Sequence, residues 1–294
     1  MGIIMDIEKL CEGIDLQQGI RNEVMEYYRS EDFRRIRNIA DGLKGMESEA
    51  AARAELTKFF GEDEKRVKML TCMLACAAEQ YPWYEKKGIS ETIFWDTMRC
   101  FTRFIGECRQ ITGRDAFDRE WWTARQVGGI LFRIGTLEYE MQYRKPACDM
   151  HGNIQEESEP QISIHIPSDA DLTPDCCDRS IADAEIFFER HFPEFRNADY
   201  ICHSWLLAPE LTGLLPETSR ILAFQKRFSI RWVDYSEPEF IEWVFKTRNV
   251  ETADLPEQTT LQKNMKRHLL NGGKIGNGFG VLAGRISHSV PGTG

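Results

Sequence analysis

The spacing of apolar residues changes once along this chain of 294 residues, near Trp122, and that change limits the possible fold more than any other feature. Before it, apolar residues recur every three or four positions, as they do on amphipathic helices. One such series consists of Val67, Leu70, Met73, Leu74 and Ala77. Glycine, proline and N-cap residues interrupt the pattern at residues 42–48, 61–63, 81–90 and 112–115. Residues 1–124 are therefore predicted to form a helical domain of about five or six helices.

Strand and helix patterns alternate after Trp122. The stretches VGGILFRIG and TLEYEMQYR are typical of two strands joined at Gly135 and Thr136, and QISIHIP alternates apolar with polar residues. A helix is predicted from Pro174 to His191, because Thr173 and Pro174 are typical of an N-cap and a first helical position. The strand DYICHSWLLAP, the helix SRILAFQKR, the strand FSIRWVDYS, the helix PEFIEWVFKTR and the glycine-rich strand KIGNGFGVLAG follow.

This order predicts an α+β protein whose second domain, residues 125–286, is a mixed β-sheet flanked by helices. Parallel neighbours in a sheet require helical crossovers, and the alternation of strands and helices supplies them. The polar stretch from Pro146 to Pro160 is predicted to be an exposed loop between the second and third strands. Residues 287–294 are predicted to be a flexible tail.

The charge balance argues against nucleic acid and anionic membranes as partners. The chain has 37 Lys plus Arg against 47 Asp plus Glu, a net charge of -10, which repels polyanions. No apolar stretch approaches the roughly 18 residues that span a bilayer, and the start lacks a secretory signal pattern. Nine cysteines without a framework spacing suit a reducing compartment. The predicted location is the cytoplasm.

Several familiar sites lack their required spacing. Cys72 and Cys76 share a helix face but have no third ligand nearby, so two small core residues are the favoured interpretation and no metal is predicted. Cys176 and Cys177 at a helix start are weak nucleophile candidates because four aspartates surround them. The glycines of GNGFG nearly end the chain, which favours a bulged strand over a dinucleotide loop. Neither a GxSxG elbow nor a P-loop is present.

The most informative stretch is QISIHIPSDA. If its isoleucines face one side of a strand, Ser163 and His165 face the other, and His203 on the next strand would lie beside His165. Glu210 would follow just beyond that strand. Histidine can take a proton from an amine at neutral pH, so His203 and His165 are predicted catalytic bases, with Glu210 assisting. The alternative, that both rings are hydrogen-bonded core residues, stays open at this point.

Three phrases of the sequence, WWTARQVGGILFRIGTLEYEM, ISIHIPSDADLTPD and YICHSWLLAPEL, together resemble a family of bacterial acyltransferases. These proteins pair a helical N-terminal domain with a GNAT-like C-terminal domain. The resemblance implies that an acyl thioester, usually acyl-CoA or acetyl-CoA, lies between two diverging strands and is attacked by an amine. It also implies that backbone amides near Ile166 hold the thioester carbonyl, that Ser168 belongs to the cofactor-binding set, and that the helix from Pro174 faces the pyrophosphate.

One departure from that family concerns the cofactor phosphates. The segment SDADLTPDCCDRS lacks the usual glycine-rich basic loop, and residues 156–199 contain 12 acids against 3 arginines. Lys226 and Arg227 are predicted to supply the missing positive charge, with Arg231 or Lys263, Lys266 and Arg267 as further candidates. The donor could instead be carried by an acyl carrier protein, or the acidic loop could attract a cationic amine.

The sequence therefore predicts an N-acyltransferase that moves an acyl group from a thioester donor to a small-molecule amine. The alternative is a non-catalytic binding or regulatory protein that keeps the fold, because the phosphate loop is missing.

Overall fold

The computed structural model describes residues 5–45, 47–144, 159–248 and 250–284. The predicted tail at 287–294 and nearly all of the predicted loop at 146–160 lie outside these ranges. The chain divides into two compact units, Met1–Arg133 and Ile134–Gly294. Nowhere in the described ranges is there a helix long and apolar enough to cross a membrane.

The first unit is helical, as predicted, and its described residues form eight α-helices where about five or six were expected. The helices are α1 Ile7–Gly13, α2 Gln18–Tyr28, α3 Glu31–Ala40, α4 Glu49–Phe60, α5 Val67–Lys87, α6 Glu91–Met98, α7 Cys100–Thr112 and α8 Glu120–Val127. The predicted number of helices was too low because two pairs of helices are separated by very short breaks. Only Arg29 and Ser30 separate α2 from α3, and only Arg99 separates α6 from α7, so the apolar spacing continues across both breaks.

Helix α5 is the central helix of this unit, with α1, α2, α3, α4, α6 and α8 packed against it. It is buried on nearly every side along its first three turns, which is typical of a core helix. The break predicted within residues 81–90 is present at residues 88–90, but it begins later than expected, because α5 continues through Pro82 to Lys87. Tyr81 and Tyr84 on either side of it pack edge-on against Phe94, with ring centroids 5.0 and 5.1 Å apart. This packing offsets the backbone hydrogen bond that proline removes.

The second part of the chain contains six strands that form one mixed sheet, which confirms the predicted fold class. The strands are β1 Leu131–Ile134, β2 Leu137–Tyr143, β3 Pro160–His165, β4 Asp199–Ser204, β5 Phe228–Asp234 and β6 Asn277–Leu282. Their order across the sheet is β1-β2-β3-β4-β6-β5. The β3–β4 pair is parallel, whereas β2–β3, β4–β6 and β5–β6 are antiparallel.

Four helices accompany these strands: α9 Pro174–His191, α10 Arg220–Gln225, α11 Phe240–Phe245 and α12 Thr260–Leu270. Helix α9 has the predicted bounds and provides the crossover between the parallel strands β3 and β4. Its Phe188 packs against Tyr139 and Tyr200, with ring centroids 6.4 Å apart in both pairs. Helix α12 was not among the predicted elements.

Strand β4 is shorter than the predicted DYICHSWLLAP, because the chain turns into a 3-10 helix, Trp205–Leu207, directly after it. The Ser204 side chain accepts a hydrogen bond from the Leu206 amide at 3.2 Å and so starts this turn. Strand β6 lies close beneath it, since a Cβ on Gly278 would come within 2.4 Å of the Leu207 carbonyl oxygen. Gly278 and Gly280 therefore lie in the last strand, Gly276 directly precedes it, and Gly278 allows a close backbone approach. The extra residue of this strand pair is in β5 and not in the last strand.

Candidate active site

The two faces of the sheet differ in chemistry around β3 and β4. One face packs on α9 and carries apolar or aromatic side chains such as Tyr139, Ile162 and Tyr200. The register places the alternate residues on the opposite face, which we call the histidine face. Its members include Glu138, Glu140, Ser163, His165, Ile201, His203, Trp232 and Phe279.

Strands β3 and β4 separate within their own length. Their parallel pairing runs from Gln161 and Asp199 to Ser163 and Ile201 and stops there. Beyond that point β3 still pairs with β2 as far as His165, and β4 still pairs with β6 as far as Ser204. Each strand therefore stays paired with its outer neighbour while the β3–β4 pairing ends before residues 164–165 and 202–204. We call this unpaired stretch the gap. Both histidines lie at this gap and face the same side of the sheet.

His165 is held in place by a buried carboxylate. Its Nε2 lies 2.8 Å from Oε2 of Glu140, and its side chain is 19% exposed. A carboxylate oxygen only accepts, so this contact requires the proton of His165 to be on Nε2. Because Nε2 already contacts Glu140, it is not available to take a proton from a substrate. The Glu140–His165 pair is therefore better suited to positioning than to base catalysis.

His203 is exposed and surrounded by aromatic rings. Its ring centroid lies 5.1 Å from that of Trp232 and 6.5 Å from that of Phe279. Trp232 and Phe279 stack almost parallel, with centroids 5.0 Å apart and planes inclined by 3°. His203 thus lies at the gap between β3 and β4 with an aromatic pair beside it and solvent access for a proton acceptor.

Two carboxylates, Asp234 and Glu239, interact electrostatically with His203. The Ser236 amide, which donates to Asp234 at 2.8 Å, lowers the pKa of that carboxyl, and His203 contributes in the same direction. The pKa of Glu239 is raised by desolvation, and also by the charges of Glu237 and Asp234, while His203 lowers it. An imidazolium that forms on His203 would therefore be stabilised by both carboxylates.

The predicted partner Glu210 has a different contact. Its Oε1 accepts a hydrogen bond from the Tyr235 hydroxyl at 2.5 Å. A second bond, from the Asn277 side-chain nitrogen to the Glu237 carbonyl oxygen at 3.2 Å, ties down the segment that follows β5. Glu210 thus anchors Tyr235, one residue beyond Asp234, whereas the carboxylates that interact electrostatically with His203 are Asp234 and Glu239.

The sequence did not single out Trp232, Asp234 or Glu239, and a β-bulge is one reason. Ile230 pairs with Gly280 and Trp232 pairs with Phe279, so Arg231 is an extra residue in β5. Strict alternation from Ser229 would have placed Arg231 on the histidine face. With the bulge, Trp232 and Asp234 lie there instead. The exposed aromatic residues of FSIRWVDYS were the available signal.

Of the predicted cofactor-binding residues, Arg227 contacts the start of α9. Arg227 donates to Asp178 at 2.7 and 3.0 Å and to the Pro174 carbonyl at 3.1 Å. Arg220 pairs with Asp171 at 3.3 Å. The pKa of Asp171 is lowered, chiefly by the Thr173 amide, with a smaller contribution from Arg220. The arginines thus offset part of the acidic charge that the sequence shows here.

The remaining predicted residues of this set are accessible. Lys226 is exposed beside Arg227, and Ser168 is exposed in the segment between β3 and α9. Ile166 is half-buried and directly follows β3.

The buried cysteines Cys72, Cys76 and Cys177 are poorly suited to thiolate chemistry. Cys72 and Cys76 are buried in α5, and burial raises the pKa of Cys76 to about 11. Burial likewise raises the pKa of Cys177 to about 11, which disfavours a thiolate there. Within the described ranges, no group of three or more His, Cys, Asp or Glu side chains is arranged to hold a metal ion.

Family comparisons cover almost the whole chain. The N-acyltransferase N-terminal domain matches residues 5–129, and the GNAT-like C-terminal domain matches residues 131–282. A comparison with curated proteins gave no match.

Solved structures with the same fold include three complexes of acyltransferases. One, in complex with decanoyl-CoA, has a TM-score of 0.64 and 22% identity, and the alignment covers 95% of this chain and 99% of that chain. A complex with CoA and 10C-teicoplanin has a TM-score of 0.63 and 21% identity, with the same coverage. A mutant acyltransferase bound to octanoyl-CoA has a TM-score of 0.63 and 20% identity, again with 95% and 99% covered.

Proposed function

Because the chain belongs to the acyltransferase family that joins an N-acyltransferase N-terminal domain to a GNAT-like C-terminal domain, we propose that it transfers an acyl group from acyl-CoA to an amine. The observation that carries this proposal is the gap between β3 and β4, with an exposed histidine at its edge. Similar folds bind CoA, decanoyl-CoA and octanoyl-CoA, which supports a thioester donor.

The donor in this proposal enters the gap with its thioester beside the end of β3. Backbone amides near Ile166 polarise the thioester carbonyl. The phosphates lie towards the first turn of α9, where the helix dipole and Ser168 favour an anion. Arg227 offsets Asp178 there, and exposed Lys226 adds a positive charge. The arginine pairs reduce the repulsion that the acidic residues alone would cause.

His203 acts as the general base in this scheme. An acceptor that arrives as an ammonium first loses one proton to water, because only the neutral amine is a nucleophile. Its nitrogen then attacks the thioester carbon, the carbon–nitrogen bond forms, and His203 takes the second proton. The carbon–sulfur bond breaks, and the CoA thiolate leaves and takes a proton from the His203 imidazolium or from water. Asp234 and Glu239 stabilise the imidazolium. The Glu140–His165 pair fixes the β3 side of the gap, and Glu210 fixes Tyr235 on the β4 side.

Thiol release measured with acetyl-, octanoyl- and decanoyl-CoA against a panel of primary amines tests this function. We expect amine-dependent release of CoA with at least one chain length, and calorimetry should show that the same acyl-CoA binds without an amine. Absence of binding for all three thioesters would contradict the CoA-dependent proposal. If only an acyl carrier protein thioester supports release, the donor assignment fails and the transfer reaction stands.

A second candidate is a non-catalytic binding protein with the same fold. The feature that favours it is the segment between β3 and α9, which has no glycine and no basic residue. This candidate predicts that acyl-CoA binds and that no amine in the panel releases thiol.

A further inference from the structure

The surface around Trp232 combines features that a general base alone does not need. Trp232 is 50% exposed although it is a large aromatic residue stacked on Phe279. Tyr235, three residues later, is 48% exposed. Both belong to the edge strand β5 or to the segment that directly follows it. Exposed aromatic side chains that adjoin a cleft are typical of binding surfaces for flat or apolar groups.

The same surface is acidic and lacks basic partners. Asp234, Glu237 and Glu239 lie within six residues, and in the described parts of the chain no lysine or arginine forms an ion pair with any of them. This contrasts with Asp171 and Asp178 at α9, which both pair with arginines. The register places Asp234 on the histidine face, two residues beyond Trp232, and the charge of His203 acts on both Asp234 and Glu239. A protonated amine is attracted to such a surface before it reacts.

From these two observations we infer that the acceptor is a primary amine carried on a short linker by an aromatic ring, with the ring on Trp232 and the ammonium facing Asp234 and Glu239. This inference rests on the proposed function and specifies its substrate class. The aromatic ring gains contact with the exposed indole surface, and the ammonium gains the unpaired negative charge. His203, whose ring centroid is 5.1 Å from Trp232, lies next to both groups.

Three ligands separate the two contributions: 2-phenylethylamine has ring and charge, n-hexylamine has charge without a ring, and 2-phenylethanol has a ring without charge. Titration of the full chain, followed by ligand-observed NMR in the absence of any thioester, gives a dissociation constant for each. We expect 2-phenylethylamine to bind about tenfold more tightly than either of the others, since each missing group removes a contact of roughly that size.

Substitutions of Trp232 and Asp234 test whether these residues cause the preference for 2-phenylethylamine. Trp232→Leu should abolish the preference over n-hexylamine, and Asp234→Asn should reduce the preference over 2-phenylethanol. Trp121→Leu is the matched control, because Trp121 is 46% exposed and lies in the helical unit. It should leave all three constants unchanged. Circular dichroism of each variant checks that the fold is retained.

The outcomes distinguish this inference from the proposed function. Equal binding of the three ligands, no binding of any of them, or a preference that survives Trp232→Leu in a folded protein overturns the acceptor class. If the preference is present and depends on Trp232, the inference stands. Should 2-phenylethylamine then fail to release thiol from every acyl-CoA that binds, the proposed function is contradicted while the binding surface remains.

Discussion

Two regions of the sheet domain are rich in acids, yet they differ in how that charge is balanced. At the start of α9, Asp171 and Asp178 pair with Arg220 and Arg227, which arrive from the α10 region. In residues 234–239, Asp234 and Glu239 interact electrostatically with His203, which lies beside the exposed Trp232. No lysine or arginine in the described ranges pairs with the acids of this segment. In our proposal the first region binds the anionic donor, and the second binds the cationic acceptor.

This difference shows why a charge count along the sequence does not locate binding sites. The sequence placed the strongest acidity in residues 156–199 and left open whether it would attract an amine. In the structure Arg220 and Arg227, which are distant in sequence, pair with two of the acids in that region. The acidic charge near His203 that no lysine or arginine balances comes from residues 234–239. This run is short, and the sequence does not mark it as part of a site, because only the fold brings it near His203.

The largest expected effect is on the base itself. His203→Gln removes the proton acceptor and should lower kcat/KM for the amine by about a hundredfold to ten-thousandfold. The dissociation constant for acyl-CoA, measured by calorimetry, should stay unchanged because the donor side of the gap is not altered.

His268→Gln is the matched control, since His268 lies on α12 and contacts the Lys274 carbonyl at 3.0 Å. It should keep near-normal turnover. If His203→Gln retains normal turnover across the pH range, the assignment of the base is wrong.

A second pair of variants separates the two acidic regions. Asp234→Asn should raise KM for the amine about tenfold and leave KM for acyl-CoA unchanged, because it removes one attracting charge near the acceptor. Arg227→Gln should raise KM for acyl-CoA and leave KM for the amine unchanged. It leaves Asp178 without its arginine partner near the proposed position of the donor phosphates. Steady-state kinetics with each substrate varied in turn measures both constants. Equal effects of the two variants on both substrates would contradict separate donor and acceptor regions.

A smaller effect is expected at Lys226, which is exposed beside Arg227. Lys226→Ala should weaken acyl-CoA binding by about twofold to fivefold, and the loss should shrink as salt is raised, as for other exposed charge contacts. Lys58→Ala, an exposed lysine on α4 with no predicted role in binding, is the control and should have no effect. A loss that does not depend on salt would contradict an electrostatic role for Lys226.

The smallest effects concern stability, where two isosteric substitutions should act in opposite directions. Asp171 has a lowered pKa and stabilises the fold above its ordinary value of 3.8, so Asp171→Asn should lower Tm at pH 7. Glu239 has a raised pKa, so its ionised form destabilises the fold as pH rises above its ordinary value of 4.5. Glu239→Gln should therefore raise Tm slightly at pH 7.

Melting curves from pH 7 down to pH 4 check these signs. The difference caused by Glu239→Gln should disappear as pH falls towards 4, because the carboxyl is then protonated in both states. The difference caused by Asp171→Asn should persist at pH 4 and diminish only at lower pH. If both variants shift Tm in the same direction at pH 7, the contrast between the two acidic regions is contradicted.

Local patterns predicted much of the fold. The period-two pattern of QISIHIP placed Ser163 and His165 on one face of β3, and Pro174 marked the first residue of α9. The domain type followed from the alternation of strands and helices. These features depend on residues that are adjacent in sequence, so the sequence alone can show them.

The features that the sequence did not show depend on contacts between distant residues. The bulge at Arg231 decides which face Trp232 occupies, and it forms only through pairing with β6. The early end of β4 at Ser204 accompanies the close approach of Leu207 to Gly278. Helix α5 continues past Pro82 because its neighbours bury it. In each case tertiary packing overrides a local pattern.

A crystal structure of the full chain with a non-hydrolysable acyl-CoA thioether tests the central claim most directly. The account predicts that the carbonyl of the analogue lies between residues 164–166 and 202–204, on the side of the sheet that carries His203, with the phosphates near the first turn of α9. An analogue bound elsewhere, with β3 and β4 paired along their full length, would contradict it.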